Sequence, residues 1–572
     1  MRERRLFFIL GCCFIAIFLM TNRIVFVNSI TSQKLTEKEK LVANFIADHV
    51  ARVEPLMRET YLASWEAAVT GSEEAYKKTA DLQFKLEKIY TSKDDFLQLK
   101  GWKDSGEVKE PLLARQLKVL YLAYLGNQIP EELLKKIVDK GTEAEQLFST
   151  FRSKVDGKEV TMNDINMVFQ NSTDSEERKK YWEAQKASGK AVEATLKEVV
   201  HLRNEAAKVL GFPNYFVMSL TLSEQDEAEL LKLFDELDSL TRQPFASVKK
   251  EVDQYLAQRC GIQPQEVRPW HYEDPFFQEA PDIYKVDLNR WYEKTNILEL
   301  SKSFYSGIGL PVEEILQRSD LYEKKGKNPH AFTSDIDRKG DVRVLANIKN
   351  NERWMGTMLH ELGHGVYDKY MEASLPFILR HPAHSFTTEA IAILFERMSK
   401  NPWWIQQMLG LSDSQRMEFQ DSALKLARLQ GLVFCRWTQV MFRFERELYR
   451  NPEQNLNRLW WDLVEKYQMV SRPEGRDAPD YAAKIHFCIA PVYYHNYQMG
   501  ELLASQLRHY IITHILKGAD IKSATYLGRK EVGEYLKGKV FALGATLPWN
   551  EMVKQATGEP LTARYFAEQF VK

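Results

Sequence analysis

The residues with the clearest chemical potential in this chain lie in the segment Met358-Leu-His-Glu-Leu-Gly-His364. His360 and His364 are four residues apart, so on a helix their side chains lie on one face, one turn apart. Two imidazoles placed in this way can bind one metal ion, most often zinc. Glu361, between them, can then accept a proton from a water molecule that the metal activates. The spacing therefore predicts a catalytic zinc site with Glu361 as its general base.

The residues around the motif favour a buried helix. Apolar residues recur at helical spacing on both sides of the histidines: Trp354, Met355, Met358, Leu359, Leu362, Val366 and Tyr370. Gly363 and Gly365 each disfavour a helix by about 1 kcal/mol relative to alanine, and we expect such small residues where another element packs close to the ligands. The alternative interpretation is a core helix that holds two hydrogen-bonded histidines and a glutamate by chance.

A catalytic zinc site needs a third protein ligand. A histidine six residues after His364 would complete one known pattern, but that position holds Tyr370. The segment Ser385–Met398 instead predicts a second helix, which begins with polar capping residues. Glu389 lies in its apolar part, where an unpaired carboxylate is costly. We therefore predict Glu389 as the third ligand, with Glu396, nearer the charged end of this helix, as the alternative.

The elements that must position these residues are mostly helical. Apolar residues recur at helical spacing over Leu35–Val69, Leu112–Leu125, Pro130–Phe151, Ser175–Leu210, Glu224–Leu256 and Ser412–Tyr449. Helix starts are predicted at Pro130-Glu-Glu and at Ser223-Glu-Gln. The charged helices before residue 110 are compatible with a lid over a cleft and equally with an ordinary solvated face.

One short stretch before the metal motif has the pattern of strands instead. His330–Ile336 and Asp341–Asn347 predict extended segments, and Asp337-Arg-Lys-Gly340 between them predicts a turn. The resulting hairpin leads directly into the metal-binding helix. An edge strand beside a metal can hold a peptide as an additional strand. A hairpin without any role in substrate binding is the alternative.

Composition excludes several classes of function. The formal net charge is −1 over 572 residues, so no global field favours nucleic acid or an anionic membrane. The sequence contains no phosphate-binding glycine motif, zinc-finger spacing or internal repeat, which predicts a single catalytic domain over 30–572. Three cysteines follow the N-terminal region and permit at most one disulfide; we interpret Cys260, Cys435 and Cys488 as buried small apolar residues.

The N-terminus has the pattern of a leader. A basic start, Met1-Arg-Glu-Arg-Arg5, precedes the apolar run Leu6–Met20, and Val27-Asn-Ser29 offers small residues for cleavage. This predicts a signal peptide over 1–29. The alternative is an uncleaved membrane anchor, which would be the chain's one contact with a membrane. Either interpretation predicts an extracytoplasmic protein, periplasmic or secreted.

Further motifs accompany the zinc motif. In chain order the set is His330-Ala331, His360-Glu-Leu-Gly-His364, Glu389-Ala-Ile391, Trp460-Trp461-x-Leu463 with Lys466-Tyr-Gln468, Lys484-Ile-His486, Pro491-Val-Tyr-Tyr-His-Asn-Tyr497, Leu547-Pro-Trp549, Thr557-Gly558 and Tyr565-Phe566. As an ordered set they resemble the angiotensin-converting-enzyme family of zinc dipeptidyl carboxypeptidases, including its bacterial members. The resemblance implies a mainly α-helical, two-lobed metallopeptidase with a deep central cleft, a small β-hairpin beside the zinc helix and one catalytic Zn²⁺.

The resemblance also implies roles for residues outside the zinc motif. Peptide hydrolysis needs a hydrogen-bond donor for the developing oxyanion, and the resemblance gives this role to His486 and Tyr497. These residues act beside the metal, together with Glu361 as the base.

A dipeptide-releasing enzyme must also recognise a free C-terminal carboxylate. By the same resemblance, Lys484 supplies the positive charge, and Tyr493 or Tyr494 supplies a phenolic donor. His330 and the backbone of Ala331 would hold the substrate chain.

Two departures from the family pattern affect these expectations. Ile393 stands where the family has an acid four residues after the ligand glutamate, so the support of the ligands must differ here. Val464 and Asn496 stand where animal enzymes have chloride-binding arginines, so strong activation by chloride is not expected.

The sequence thus predicts a zinc-dependent peptidase that releases dipeptides from peptides with a free C-terminus. A zinc oligoendopeptidase or a single-residue carboxypeptidase is the first alternative. A catalytically inactive binding homologue is the second, and the intact Glu361, His486 and Tyr497 argue against it.

Overall fold

The structure is a computed structural model that describes residues 35–571, and helices make up most of this range. The first are α1 (Glu37–Thr70), α2 (Glu73–Tyr90), α3 (Lys93–Ser105), α4 (Pro111–Gly126) and α5 (Glu131–Thr150). Next come α6 (Met162–Asn171), α7 (Ser175–Val209), α8 (Tyr215–Leu222), α9 (Glu227–Cys260), α10 (Asn289–Tyr292), α11 (Ile297–Gly307) and α12 (Glu313–Arg318). The C-terminal part contains α13 (Glu352–Lys369), α14 (Ser385–Glu396), α15 (Pro402–Leu409), α16 (Asp413–Met417), α17 (Gln420–Arg450), α18 (Leu456–Gln468), α19 (His486–Ile489), α20 (His495–Tyr510), α21 (Lys530–Lys539), α22 (Trp549–Thr557) and α23 (Arg564–Phe570).

Two small antiparallel hairpins interrupt the helices. Strands β1 (Ser153–Val155) and β2 (Lys158–Val160) form the first. Strands β3 (Phe332–Asp335) and β4 (Val342–Leu345) form the second, with Phe332 opposite Leu345 and Asp335 opposite Val342. The mainly α-helical fold and the hairpin before the metal motif are therefore confirmed. The division into two lobes around a deep cleft stays a prediction.

Most predicted helices are present, but two boundaries differ. The predicted start at Ser223 is wrong, because Ser223 caps the end of α8 and the next helix begins after Asp226. The Asp226 side chain accepts hydrogen bonds from the first-turn amides of Ala228 and Glu229, as an N-cap residue does. The stripe over Ser412–Tyr449 is divided into α16 and α17, with the break between Met417 and Gln420.

The buried apolar residues of the described chain form two clusters. The larger one contains both helices of the metal motif, through residues such as Met358, Leu362, Ile391 and Leu394. The smaller one, here called the N-terminal cluster, joins α1, α3 and α4 to a short 3₁₀ turn, Phe377–Leu379. Its buried members are Val42, Ile46, Val53, Leu99, Leu113, Leu117, Leu120, Tyr124, Phe377, Ile378 and Leu379. Because the 3₁₀ turn lies between α13 and α14, the N-terminal helices pack against the connection between the two metal-motif helices.

The predicted leader over 1–29 lies outside the described residues. Within 35–571, no helix is both long enough and apolar enough to cross a membrane. Cys435 and Cys488 are buried free thiols and Cys260 is a partly buried one, in agreement with their interpretation as small apolar residues.

Candidate metal centre

The metal-motif helix α13 and helix α14 pack closely because a glycine faces the contact. A Cβ atom added to Gly363 would lie 2.7 Å from the Cα of Ala392 in α14, closer than real contacts allow. On the other side of α14, a Cβ atom on Gly500 of α20 would lie 3.1 Å from the Cγ of Glu389. The expectation that small residues accompany the ligands therefore holds for Gly363, whereas Gly365 faces Ile315 instead.

The structure brings His360, His364 and Glu389 together. One ligand atom from each lies within 4.8 Å of the other two. The Nε2 atoms of the histidines are 3.2 Å apart, and they lie 3.5 and 3.6 Å from the two carboxylate oxygens of Glu389. Tetrahedral ligands at about 2.0–2.1 Å from a zinc ion are separated by about 3.3 Å. These donor types and distances therefore fit a zinc ion, although the assignment as ligands stays a prediction.

Each histidine also has a hydrogen-bond partner at Nδ1, the ring nitrogen that does not face Glu389. Glu396 Oε2 lies 2.8 Å from Nδ1 of His360, and Thr388 Oγ1 lies 2.8 Å from Nδ1 of His364. These partners direct both Nε2 atoms toward Glu389, an arrangement that orients metal-binding histidines. Glu396, the alternative ligand in the sequence, thus hydrogen-bonds the His360 ring at the nitrogen that does not face Glu389.

The surroundings of the two histidine rings shift their pKa values in opposite directions. Burial disfavours the charged form of His360, but Glu396, Glu389 and Glu361 outweigh it and raise the pKa of His360 to about 9. Burial, together with His360, lowers the pKa of His364 to about 3. A metal ion takes the place of the proton on such a ring, because histidine binds metals in its neutral form.

Glu361 lies between the histidines and is held by the hairpin. Only 8% of its surface is exposed, and burial raises the pKa of its carboxyl group. Thr333 Oγ1, on β3, lies 3.0 Å from the Glu361 carboxylate and 2.7 Å from the Glu361 carbonyl oxygen. The hairpin therefore fixes the rotamer of the carboxylate that the sequence predicts as the base.

His330 and Ala331 directly precede β3. His330 is exposed and its backbone amide donates to Asn328 Oδ1 at 2.9 Å, while Ala331 is half-buried. Within the described chain this sheet has two strands, so β3 is an edge strand that an extended peptide could lengthen. The role of His330 and Ala331 in substrate binding stays a prediction.

A second group of side chains surrounds Lys484. Lys484 donates to the side-chain oxygen of Gln278, and its Nζ lies 5.3 Å from the ring centre of Trp437. Burial lowers the pKa of Lys484 to about 8, and Asp274 and Glu279 oppose this shift. Lys484 is therefore a buried cation whose single hydrogen-bond partner in residues 35–571 is a neutral amide.

Three aromatic rings connect this cation with the rest of the site. The Tyr494 ring lies 5.2 Å from His486 and 5.3 Å from Tyr497, and the Tyr493 ring lies 5.3 Å from Tyr497. The hydroxyl of Tyr494 accepts a hydrogen bond from Trp437 Nε1 at 2.7 Å. Burial and the neighbouring Lys484 lower the pKa of His486 to about 4, so its ring is neutral near pH 7.

The second group approaches the metal centre through α20. Tyr497 lies one turn before Gly500, which packs against the Glu389 side chain. The pKa of Tyr497 is raised mainly by burial, then by Tyr493, and to a smaller extent by the charge of Glu389. A cavity of about 1150 Å³ has in its lining Glu396, which hydrogen-bonds His360, and Gln278, which hydrogen-bonds Lys484. The cavity therefore reaches a hydrogen-bond partner of each group.

The sequence did not single out Thr333, Thr388 or Gln278. Thr388 precedes Glu389 directly, and Glu396 lies two helical turns beyond it, so helical spacing could have suggested both as supports. Gln278 is distant in sequence from Lys484 and carries no local signal. Asn496, one of the two positions relevant to chloride, accepts a hydrogen bond from Gln225 at 2.8 Å, and Val464 is buried and apolar.

Comparison with known proteins shows which family this chain belongs to. A family model described as angiotensin-converting enzyme matches residues 36–570. An inactive angiotensin-converting enzyme-related protein of Caenorhabditis elegans is 22% identical over 437 residues, which is 69% of this chain and 48% of the relative. The angiotensin-converting enzyme-like protein Ace3 of Mus musculus is 22% identical over 69% of this chain and 57% of the relative. Angiotensin-converting enzyme of Mus musculus is 24% identical over 51% of this chain, which spans only 23% of that enzyme.

Proposed function

The chain belongs to the angiotensin-converting enzyme family, and we propose that it is a zinc-dependent peptidase that releases dipeptides from the free C-termini of peptides. Membership of this family supports a zinc metallopeptidase that acts on peptides. The observation that carries the finer proposal is the buried Lys484, whose partner Gln278 lines the same cavity as Glu396, the partner of His360.

His360, His364 and Glu389 would hold the zinc ion. When bound, zinc acts as a Lewis acid on the scissile carbonyl and makes a water molecule more acidic. Glu361 accepts the proton of the attacking water and delivers it to the leaving amine. Its raised pKa suits this exchange, since a base with a pKa closer to neutrality can both take up and release the proton.

Tyr497 and His486 are suited to stabilise the oxyanion that forms on the scissile carbonyl. Burial raises the pKa of Tyr497, so its phenol keeps its proton at neutral pH and can donate it. His486, neutral because its pKa is lowered to about 4, carries one N–H donor. Donors fixed in a partly buried site are typically worth a factor of about 10² to 10³ in rate.

Lys484, Gln278 and Tyr494 form the candidate pocket for the C-terminal carboxylate. Lys484 supplies the charge, and the amide nitrogen of Gln278 can donate because the amide oxygen already accepts from Lys484. Tyr494 is favoured over Tyr493, because the Tyr494 ring lies 5.7 Å from Lys484 Nζ and its oxygen accepts from Trp437, which leaves its own proton for the substrate. Both rings lie 5.3 Å from the Tyr497 ring, so that contact does not distinguish them.

The test uses one peptide in two forms, with a free and with an amidated C-terminus. Chelator-sensitive loss of dipeptides from the free form alone, identified by mass, is the expected result. Internal cuts in both forms would retain the zinc centre and contradict the carboxylate pocket. Release of single residues would contradict the proposed distance of two residues between the carboxylate pocket and the cleaved bond. Zinc binding without any cleavage would favour the inactive binding homologue.

A further inference from the structure

The segment 486–497 carries side chains from both ends of the proposed site. His486 lies at its start and Tyr494 and Tyr497 lie at its end, so the path of the backbone between them decides whether these groups meet one substrate. That path contains an unfavourable conformation, since Val492 has a φ of 54°. A β-branched residue in the left-handed region is strained, and surrounding contacts must hold it there.

Glu445 provides the contact at Val492. A side-chain oxygen of Glu445, on α17, accepts a hydrogen bond from the backbone N–H of Val492 at 2.7 Å. Glu445 is 3% exposed, and burial raises its pKa to about 8, so its neutral form dominates at pH 7. A buried carboxyl group of this kind is costly unless it makes specific hydrogen bonds.

Arg203 provides a second contact at the other end of the segment. From α7, its guanidinium donates to the carbonyl oxygens of Phe487 at 2.9 Å and Cys488 at 2.6 Å. The same guanidinium donates to the hydroxyl of Tyr449 at 3.1 Å, and Tyr449 lies one turn after Glu445 on α17. Two buried side chains from α7 and α17, connected through Tyr449, thus hold the backbone on both sides of the turn.

The orientation of His486 depends on this backbone. Its Nδ1 is buried and has no hydrogen-bond partner within residues 35–571. Its orientation therefore rests on the backbone of α19 and on the Tyr494 ring at 5.2 Å.

We propose that Arg203 and Glu445 are positioning residues for the reaction, which hold the segment 486–497 so that His486 and Tyr497 converge on one substrate oxygen. This inference rests on the proposed function. Both side chains bond to the backbone of this segment and are not among the groups proposed to bind the substrate. The competing interpretation is that they only stabilise the fold.

The decisive experiment compares E445A with the double variant E445A/V492G and with D238A. Asp238 is a matched control, because it is a buried acid that pairs with α17 through Arg436, away from the segment. Loss of a residue that fixes reacting groups lowers kcat by a factor on the order of 10 to 100. We expect this loss in E445A with the zinc content unchanged, whereas D238A lowers the melting temperature and keeps kcat.

The second substitution distinguishes positioning from general stability. Glycine adopts a φ of 54° without steric cost, so V492G removes the strain that the Glu445 hydrogen bond opposes. E445A/V492G should therefore recover most of the lost kcat, and E445Q, which keeps an acceptor oxygen, should lose little. A kcat in E445A equal to that of D238A, or no recovery in the double variant, overturns the proposal.

A readout that needs no activity separates this inference from the proposed function. Hydrogen exchange of peptides that cover 486–497 should be faster in E445A than in the wild type and unchanged in D238A. If the wild-type protein releases no dipeptides, the proposed function fails, and the exchange measurement still decides whether Glu445 holds the segment.

Discussion

Glu361 can be tested separately from the metal ligands, because its carboxylate accepts from Thr333 and is not one of the three side chains grouped at the candidate metal centre. The E361Q variant keeps the shape of the side chain and its contact with Thr333, but it lacks the carboxylate that would accept the proton. We expect kcat/KM to fall by a factor of about 10² to 10⁴, as for loss of general base catalysis. Metal analysis should show one zinc per chain in both proteins. Activity close to that of the wild type would contradict the role of Glu361.

Glu396 hydrogen-bonds His360 and would influence a bound metal ion through that ring. Loss of such an outer partner typically lowers metal affinity by a factor of about 10 to 100. E396Q should therefore release zinc to a competing chelator at a correspondingly lower chelator concentration than the wild type. E372Q, which changes an exposed glutamate in the loop after α13, is the control and should leave the affinity unchanged. Equal affinities in all three proteins would remove Glu396 from the metal centre.

Lys484 predicts a pH dependence with a definite sign. Burial lowers its pKa to about 8, so the charge that binds a carboxylate is present below pH 8 and is lost as the pH rises through that value. For peptides with a free C-terminus, the KM should therefore increase as the pH rises above about 8. In K484M the KM should be high at all pH values and lack this rise. A rise of the same size in K484M would show that another group titrates.

Packing between helices α13 and α14 sets the separation of the ligands. G363A places a methyl group 2.7 Å from the Cα of Ala392, a backbone atom that cannot move alone. Such overpacking destabilises by about 1–3 kcal/mol and should push Glu389 away from the histidines. We expect a lower melting temperature and weaker zinc binding.

G365A is the matched control on the same helix. Its methyl group would meet the end of the Ile315 side chain at 3.1 Å, which can shift, and alanine favours a helix by about 1 kcal/mol over glycine. We expect G365A to bind zinc like the wild type. Equal zinc affinity in G363A and G365A would mean that close packing at Gly363 does not set the site.

The sequence predicted those elements whose signals are local. The zinc-motif helix, the helix of Glu389 and the β3–β4 hairpin each have their own periodicity or turn residues. At Ser223 two capping signals lie three residues apart, and Asp226 forms the actual cap because Ser223 already ends α8. The break before Gln420 has no proline or glycine to mark it. The contact of Gln278 with Lys484 depends on tertiary packing, which periodicity does not encode.

For the molecule as a whole, the two apolar clusters raise the question of how many units unfold. The single domain over 30–572 stays a prediction. Because Phe377–Leu379 connects the N-terminal cluster with the helices of the metal centre, we expect one calorimetric transition. Zinc at 100 times its Kd should stabilise the folded state by about 2.7 kcal/mol and shift the whole transition upward. Two transitions, of which zinc moves only one, would show separate units.

The place of the Phe377–Leu379 turn has a consequence for control of the enzyme from a distance. Linkage is reciprocal, so if zinc strengthens the packing of α1 and α4 against this turn, then that packing strengthens zinc binding by the same free energy. Leu379 is anchored on its other side as well, since its carbonyl oxygen accepts from Ala545 at 2.9 Å and Arg115 of α4 donates to the Ala545 carbonyl at 2.8 Å. In that case, a ligand that separates α4 from this turn would weaken zinc binding without entering the peptide site.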